Sequence, residues 1–445
     1  MTGLDEQQVD QEIAADEAVR LTSELIRIDT TNTGDPDTLA PERPAAEYVA
    51  ELLSDVGYDV TYVESGAKGR GNVVARLPGA DPSLGSLLVQ GHLDVVPADA
   101  SEWSVHPHSG EIRDGYVWGR GAIDMKDMVA MSLAAARELK RRGVVPRREL
   151  IFAFLADEEA GGFQGANWLV RHRPELFEGA VEAISEVGGY SVTLGDDVRA
   201  YLIQTAEKGM RWLRLTAEGT PGHGSMLQHD NAVAKLAAAV ARLESHRFPL
   251  ILTPAVREFL DGVSELTGWE FPEDDIDQAV GRLGTLARIV GATLRDTANT
   301  TMLQAGYKAN VVPSVARATV DGRYLPGRDE AFVAELREVV GPDIDVSWEQ
   351  GLPAVQTSFD GAIVDHMTAA LHAEDPGARV LPYMMSGGTD AKSFDRLGIR
   401  SFGFAPLRLP PDLDFPALFH GIDERVPVEA LRFGTRVLLR FLTTY

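Results

Sequence analysis

Residues 91–97 read GHLDVVP. They follow Ser86-Leu87-Leu88-Val89-Gln90, a short apolar run that reads as the end of a buried strand. His92 and Asp94 are two residues apart, so on an extended chain they point to the same side. A histidine beside a carboxylate at a strand tip suits a metal ligand with a partner that orients its ring. A surface loop with a chance His and Asp is the plain alternative. Ligands of open α/β sheets gather beyond strand ends, so other elements of the chain are read for groups that would join these two.

Regular elements alternate on both sides of this stretch. Helical spacing marks Gln11–Ile28, Ala45–Val56, Met125–Lys140 and Phe163–Arg171. Strand-like runs lie at 59–63, 72–77, 86–90, 149–155 and 181–185, with an Asp-Gly turn at 114–115. The expected fold is therefore α/β, a three-layer α/β/α domain. Near residue 207 the pattern changes to partly alternating strands at 211–217, 301–307 and 316–324, with a helix at 231–243 and a helix-rich stretch at 254–295. Helix and strand alternation resumes from Glu330, and the last helix is expected at 428–442. A chain of 445 residues is too long for one ordinary core. The expectation is a discontinuous catalytic domain, 1–207 and 326–445, interrupted by an inserted α+β domain at 208–325.

Composition narrows the chemistry. There is no cysteine, so disulfides and thiolate ligands are excluded and any metal must be held by His, Asp and Glu. A reducing compartment fits, and the acidic N-terminus carries no secretory pattern, so a cytoplasmic location is expected. The net charge of −25 repels nucleic acid and anionic membranes, and neither is expected as a partner. No apolar run is long enough to span a bilayer.

Four further stretches place charge where an element stops or starts. In GRGAIDMK (119–126), Asp124 precedes a helix, a position that an ordinary N-cap also fills. In DEEAGG (157–162), three carboxylates follow the buried run IFAFLA, a costly crowding unless cations compensate. Glu186 follows a strand in ISEVGG, and His420 lies in FHGIDERVP before the last helix. GAKGRG (66–71) is not a phosphate loop, because a strand follows it.

Taken in order, GHLDVVP, DGYVWGRGAIDMK, DEEAGG, SEVGG, GTPGHGS, KANVVPSVARATVDGR, SGGTDA and HGIDERVP resemble the M20 family of metallopeptidases and amidases. That family includes aminoacylases, acetylornithine deacetylase, succinyl-diaminopimelate desuccinylase and glutamate carboxypeptidase. The resemblance implies a zinc-exopeptidase-like catalytic domain with a lid that often serves as a dimerisation surface. It implies two divalent ions, zinc by default with cobalt or manganese as alternatives. His92 would bind one ion, with Asp94 orienting its ring. Asp124 would bridge both, Glu159 and Glu186 would each take one, and His420 would complete the second site. Glu158 would be the general base. His223 would reach an active site, in several relatives that of the partner subunit of a homodimer. Arg323, Asn310 and the Gly387-Gly388-Thr389 loop would hold a substrate carboxylate or backbone. Departures are Asp127-Met128 in place of small residues, His108 in place of an aromatic, and the long helical stretch in the lid.

Three ligand carboxylates and a hydroxide balance two divalent ions, which a partly buried site tolerates. The resemblance then implies a di-metal hydrolase that cleaves an amide bond of an N-acyl amino acid, or the C-terminal peptide bond of a short peptide. Its substrate is a small molecule. A dipeptidase or aminopeptidase with the same site is the alternative. A non-catalytic binding protein is remote, because it would be expected to lack the base or a ligand.

Overall fold

The computed structural model describes residues 3–195 and 198–445. Its larger sheet has ten strands. The order across it is Val60–Glu64, Gly71–Leu77, Leu150–Leu155, Ser86–His92, Ala180–Ser185, Arg400–Gly403, Val198–Glu207 and Val355–Gln356, with Ser191–Leu194 and Arg379–Met385 also paired to Val198–Glu207. The four strands from Leu150–Leu155 to Arg400–Gly403 run parallel. Every residue of Leu150–Leu155 is buried, yet alternate side chains enter different cores. Leu150, Phe152 and Phe154 pack into the larger one; Ile151, Ala153 and Leu155 face the other with Leu169, Phe177 and Phe394. A sheet covered on both faces explains why this run is uniformly apolar, and the three-layer expectation holds.

The helices Gly3–Arg27, Lys126–Arg141 and Val428–Thr444 cover the first face. Among the described residues, no helix is long and apolar enough to cross a membrane.

The smaller sheet is antiparallel, in the order Thr297–Ala305, Val315–Tyr324, Gly209–Glu218, Ile344–Leu352. Helices Ala232–Ser245 and Asp329–Val340 supply Leu236, Leu243, Phe332 and Leu336 to a core shared with Leu213 and Leu215. Lys208 alone separates Val198–Glu207 of the larger sheet from Gly209–Glu218 of the smaller one. The return at 326 does not describe the packing. Strand Ile344–Leu352 pairs with Gly209–Glu218 in the smaller sheet, and the helix before it fills the smaller core. The stretch expected to belong to the insertion, 254–295, packs instead on the larger core through Val256, Phe259, Val263 and Val290. Helix and strand alternation is the same in both domains, so periodicity could not assign these elements to a sheet.

Phe332 is fully buried and contacts Phe248 and Tyr324 in the smaller core. Phe332→Ala should cost about 3–5 kcal/mol of that domain's stability. Urea unfolding followed by intrinsic fluorescence checks this, and a loss below about 1 kcal/mol would contradict the packing described.

Candidate functional site

The carboxyl ends of adjacent parallel strands open on one side of the larger sheet, and the acidic motifs meet there. His92 ends Ser86–His92; Glu158 and Glu159 follow Leu150–Leu155; Glu186 follows Ala180–Ser185. Asp124 arrives from the turn before Lys126–Arg141, and His420 from the loop before Arg425–Pro427. Asp157 (φ 71°), Val187 (φ 55°) and His420 (φ 55°) are non-glycine residues in the left-handed region. Such backbone is rarely adopted without compensation, and here it re-aims the chain just where these strands and loops end.

Two trios share one carboxylate. His92 Nε2 lies 3.2 Å from Asp124 Oδ1 and 3.4 Å from Glu186 Oε2. His420 Nε2 lies 3.3 Å from Asp124 Oδ2 and 3.2 Å from Glu159 Oε2. In each trio, candidate ligand atoms lie within 4.8 Å of one another. Asp94 stands behind: its Oδ1 is 3.5 Å from His92 Nδ1, and its carboxylate accepts the backbone N–H groups of Glu158 and Glu159, each at 3.1 Å. Asp94 thus fixes the ring, whose Nδ1 lies 2.9 Å from its backbone carbonyl oxygen, and through its carboxylate holds the loop that carries two acids.

Electrostatics give this arrangement its direction. Burial opposes charge on His92, but Glu186, Asp124 and Asp94 outweigh it and hold the imidazole well above the usual histidine range. His420 is pushed up to about 10 by its bonds to Asp124 and Glu159. Burial would raise Asp124, yet hydrogen bonds from His420 and His92 keep it below the usual carboxylate range. Burial pushes Glu186 up to about 7, and burial with the nearby Glu186 charge raises Glu158 well above its usual value. Glu159 Oε1 is buried without a hydrogen-bond partner among the described residues. Two imidazoles, three converging carboxylates and one idle buried oxygen fit a pair of divalent cations of the zinc, manganese or cobalt type.

The trios open into a cavity of about 400 Å³ that Glu158, Arg323 and the Gly387-Gly388-Thr389 loop also line. Val187, Met210, Trp212, Ile289, Leu352 and Phe419 supply apolar wall. His223 and Asn310 are different. Both are exposed at the edge of the smaller domain, where Gly222–His223 pairs with Val311–Val312. His223 Nδ1 lies 2.8 Å from Ser225 Oγ, Asn310 O accepts from Gly224 N, and neither residue lines the cavity of this chain. This pairing of two segments distant in the chain holds them at the surface, which motif order alone does not reveal.

Sequence reasoning missed the residues that hold the Asp124 turn. Buried Glu424 accepts from Arg120 Nη1 at 2.6 Å, Ile123 N at 2.8 Å and Gly121 N at 3.1 Å, joining GRGAIDMK to HGIDERVP. Buried Lys126 donates to Leu25 O and Ile28 O. Charged residues inside two motifs that were otherwise apolar or glycine-rich were the available signal. Asp390 and Lys392 of SGGTDAK also line the cavity and were passed over.

Two His-and-carboxylate trios thus converge at the strand ends of a parallel sheet, roofed by a second domain. The model of peptidase family M20/M25/M40 matches residues 88–444, and the chain belongs to that family, which makes it a hydrolase acting on C–N bonds. It is 30% identical to the N-fatty-acyl-amino acid synthase/hydrolase PM20D1 of Xenopus tropicalis, over 97% of this chain and 87% of that protein. It is 28% identical to aminoacylase-1 of Sus scrofa, over 96% and 94% of the two chains. Among solved structures, the M20 family metallo-carboxypeptidase Sso-CP2 of Sulfolobus solfataricus superposes with a TM-score of 0.72 at 18% identity, covering 96% of this chain and 99% of that one.

Ligands must lose protons to bind metal. In the metal-free protein the neighbouring carboxylates raise both His92 and His420 above the usual histidine range. Zinc binding should therefore release protons, and affinity should fall as pH falls. Calorimetry in buffers of different ionisation enthalpy reads this directly; a heat independent of buffer would refute it.

Proposed function

We propose that the protein hydrolyses the amide bond of an N-acyl amino acid whose acyl group is apolar. The carrying observation is the cavity itself: an acid-histidine cluster at one end, Arg323 and the Gly387-Gly388-Thr389 loop on its wall, and an apolar lining for the acyl chain. The names of the relatives, an N-fatty-acyl-amino acid hydrolase and an aminoacylase, support the same substrate class. Asp321 grips Arg323 through Nε and Nη2, a pair that does not use Nη1, and a guanidinium so fixed can present Nη1 to a substrate carboxylate.

His92, Asp124 and Glu186 would hold one ion and Asp124, Glu159 and His420 the other, with zinc the proposed metal. When bound, such a pair acidifies water and polarises a carbonyl. Glu158 takes the proton from the attacking water at its carboxylate and delivers it to the leaving nitrogen. Asp94 keeps the His92 ring and the Glu158 backbone in register. The cysteine-free composition is compatible with the cytoplasm, the compartment we propose.

Glu158→Gln should lower kcat by about a hundredfold or more while metal content stays at the parental level; loss of metal would make Glu158 a ligand and refute its role. Arg323→Met should raise KM for N-acyl amino acids about tenfold or more and leave the matching N-acyl amino amides unaffected. A panel of N-acetyl and long-chain N-acyl amino acids against free dipeptides decides the class, and preference for the dipeptides overturns the reading.

The edge strand Thr297–Ala305 exposes Met302 and Leu303, and Leu227 (88% exposed) and Tyr307 (83%) lie near in sequence to the paired segments Gly222–His223 and Val311–Val312. Surfaces of this kind are interaction sites. Two copies paired there would let His223 of the partner subunit complete the cavity and hydrogen-bond the developing oxyanion. Mixing inactive Glu158→Gln with inactive His223→Ala should then restore activity through hybrid dimers. A monomeric sedimentation profile, or no recovery on mixing, refutes the pairing.

A further inference from the structure

The motif GAKGRG, which failed as a phosphate loop, ends in a residue that the proposed chemistry has not used. The turn it forms is closed by Ser65 N to Arg70 O at 3.1 Å and by Gly69 in the left-handed region at φ 87°. It sends Arg70 inward, where the side chain is 2% exposed. The guanidinium meets Asp157 Oδ1 and lies 3.1 Å from Glu42 Oε1, while Nε and Nη1 have no hydrogen-bond partner among the described residues. As a stabilising device this is poor. A buried ion pair seldom outperforms well-packed hydrocarbon, and two idle donors add a desolvation cost.

What Arg70 does touch is informative. Asp157 is the left-handed residue immediately before Glu158, and its carboxylate also accepts Gln164 N at 2.8 Å and Asn32 Nδ2 at 3.1 Å. The same Asn32 amide donates to Asp94 Oδ2 at 2.8 Å. Asp94 in turn accepts from the backbones of Glu158 and Glu159 and faces His92. Gln164 Oε1 accepts Ala67 N at 3.1 Å, which stitches the arginine turn to the chain beyond Glu159. A continuous buried path therefore runs from Arg70 through Asp157 and Asn32 to Asp94. It holds the strained loop from both ends.

We infer that Arg70 is a positioning residue of the hydrolytic site: through Asp157 and Asn32 it sets the angle at which the loop presents Glu158 and at which Asp94 faces His92. It touches neither the candidate ligands nor the cavity. The inference rests on Glu158 as the proton carrier, the reading proposed above.

Arg70→Met, Arg70→Lys, Asn32→Ala and the Arg70→Met/Asn32→Ala double variant test it, with N-acyl amino acid hydrolysis expressed per folded, metal-loaded site. Misplacement of the base by a fraction of an ångström should lower kcat about tenfold to a hundredfold, with KM kept within about twofold. Lysine at position 70 should recover part of the loss, and the double variant should be no slower than the slower single variant, since both act on one path. A kcat for Arg70→Met within about twofold of parental, a loss that vanishes after correction for metal content and folded fraction, or multiplicative effects in the double variant would overturn the inference. If Arg70→Met does not fold, an unchanged kcat in Asn32→Ala overturns it alone. Glu158→Gln is run alongside. Normal turnover there removes the general-base reading and this inference with it, whereas inactive Glu158→Gln beside fully active Arg70→Met removes only the inference.

Discussion

Asp124 divides its two carboxylate oxygens between two histidines, 3.2 Å and 3.3 Å away, and each histidine faces a second acid. Like charges drawn together out of water repel unless positive charge lies among them. Everything around the cluster answers that constraint. In the protein alone the surrounding acids raise both imidazoles and the imidazoles hold Asp124 low; two divalent ions would balance the same five side chains more completely. A site of this composition is suited to cations because the fold has already brought the repelling groups into place.

The supports are themselves buried and charged. Glu424 anchors the Asp124 turn through three donors, Lys126 ties that turn to the end of the first helix, and Asp94 carries the loop of Glu158 and Glu159. Hydrogen-bonded supports of this kind hold converging side chains within fractions of an ångström. Left-handed backbone at Asp157, Val187 and His420 shows the same economy of position: the chain departs from relaxed geometry where side chains must converge.

The smaller domain gives the site its shape rather than its charge. Met210 and Trp212 from Gly209–Glu218, Leu352 from the edge strand Ile344–Leu352 and Arg323 from Val315–Tyr324 reach the cavity. Lys208, the residue between Val198–Glu207 and Gly209–Glu218, donates to Ala292 O and Arg295 O, so both sheets are held at a shared seam. Relative packing of the two domains therefore sets the volume between acid cluster and guanidinium, and with it the substrates that fit.

Much of this was readable without coordinates. Strand runs bounded by His92, Glu158 and Glu186 announced a buried sheet with chemistry at its ends, since apolar continuity and terminal charge are local properties of the chain. Ordered motifs named Asp124, Glu159 and His420 as the remaining members of the cluster, and the structure brings all five together. Local pattern could not say which sheet takes Ile344–Leu352, that 254–295 lies on the larger core, or that His223 and Asn310 face outward from this chain. Nor could it pair Arg120 with Glu424 or Arg70 with Asp157, partners far apart in the chain. The amino-acid order determined which groups are chemically able to bind and react, because side-chain type and strand periodicity are written residue by residue. Tertiary structure alone decided which of them meet, because that depends on long-range packing between elements whose local signals are alike.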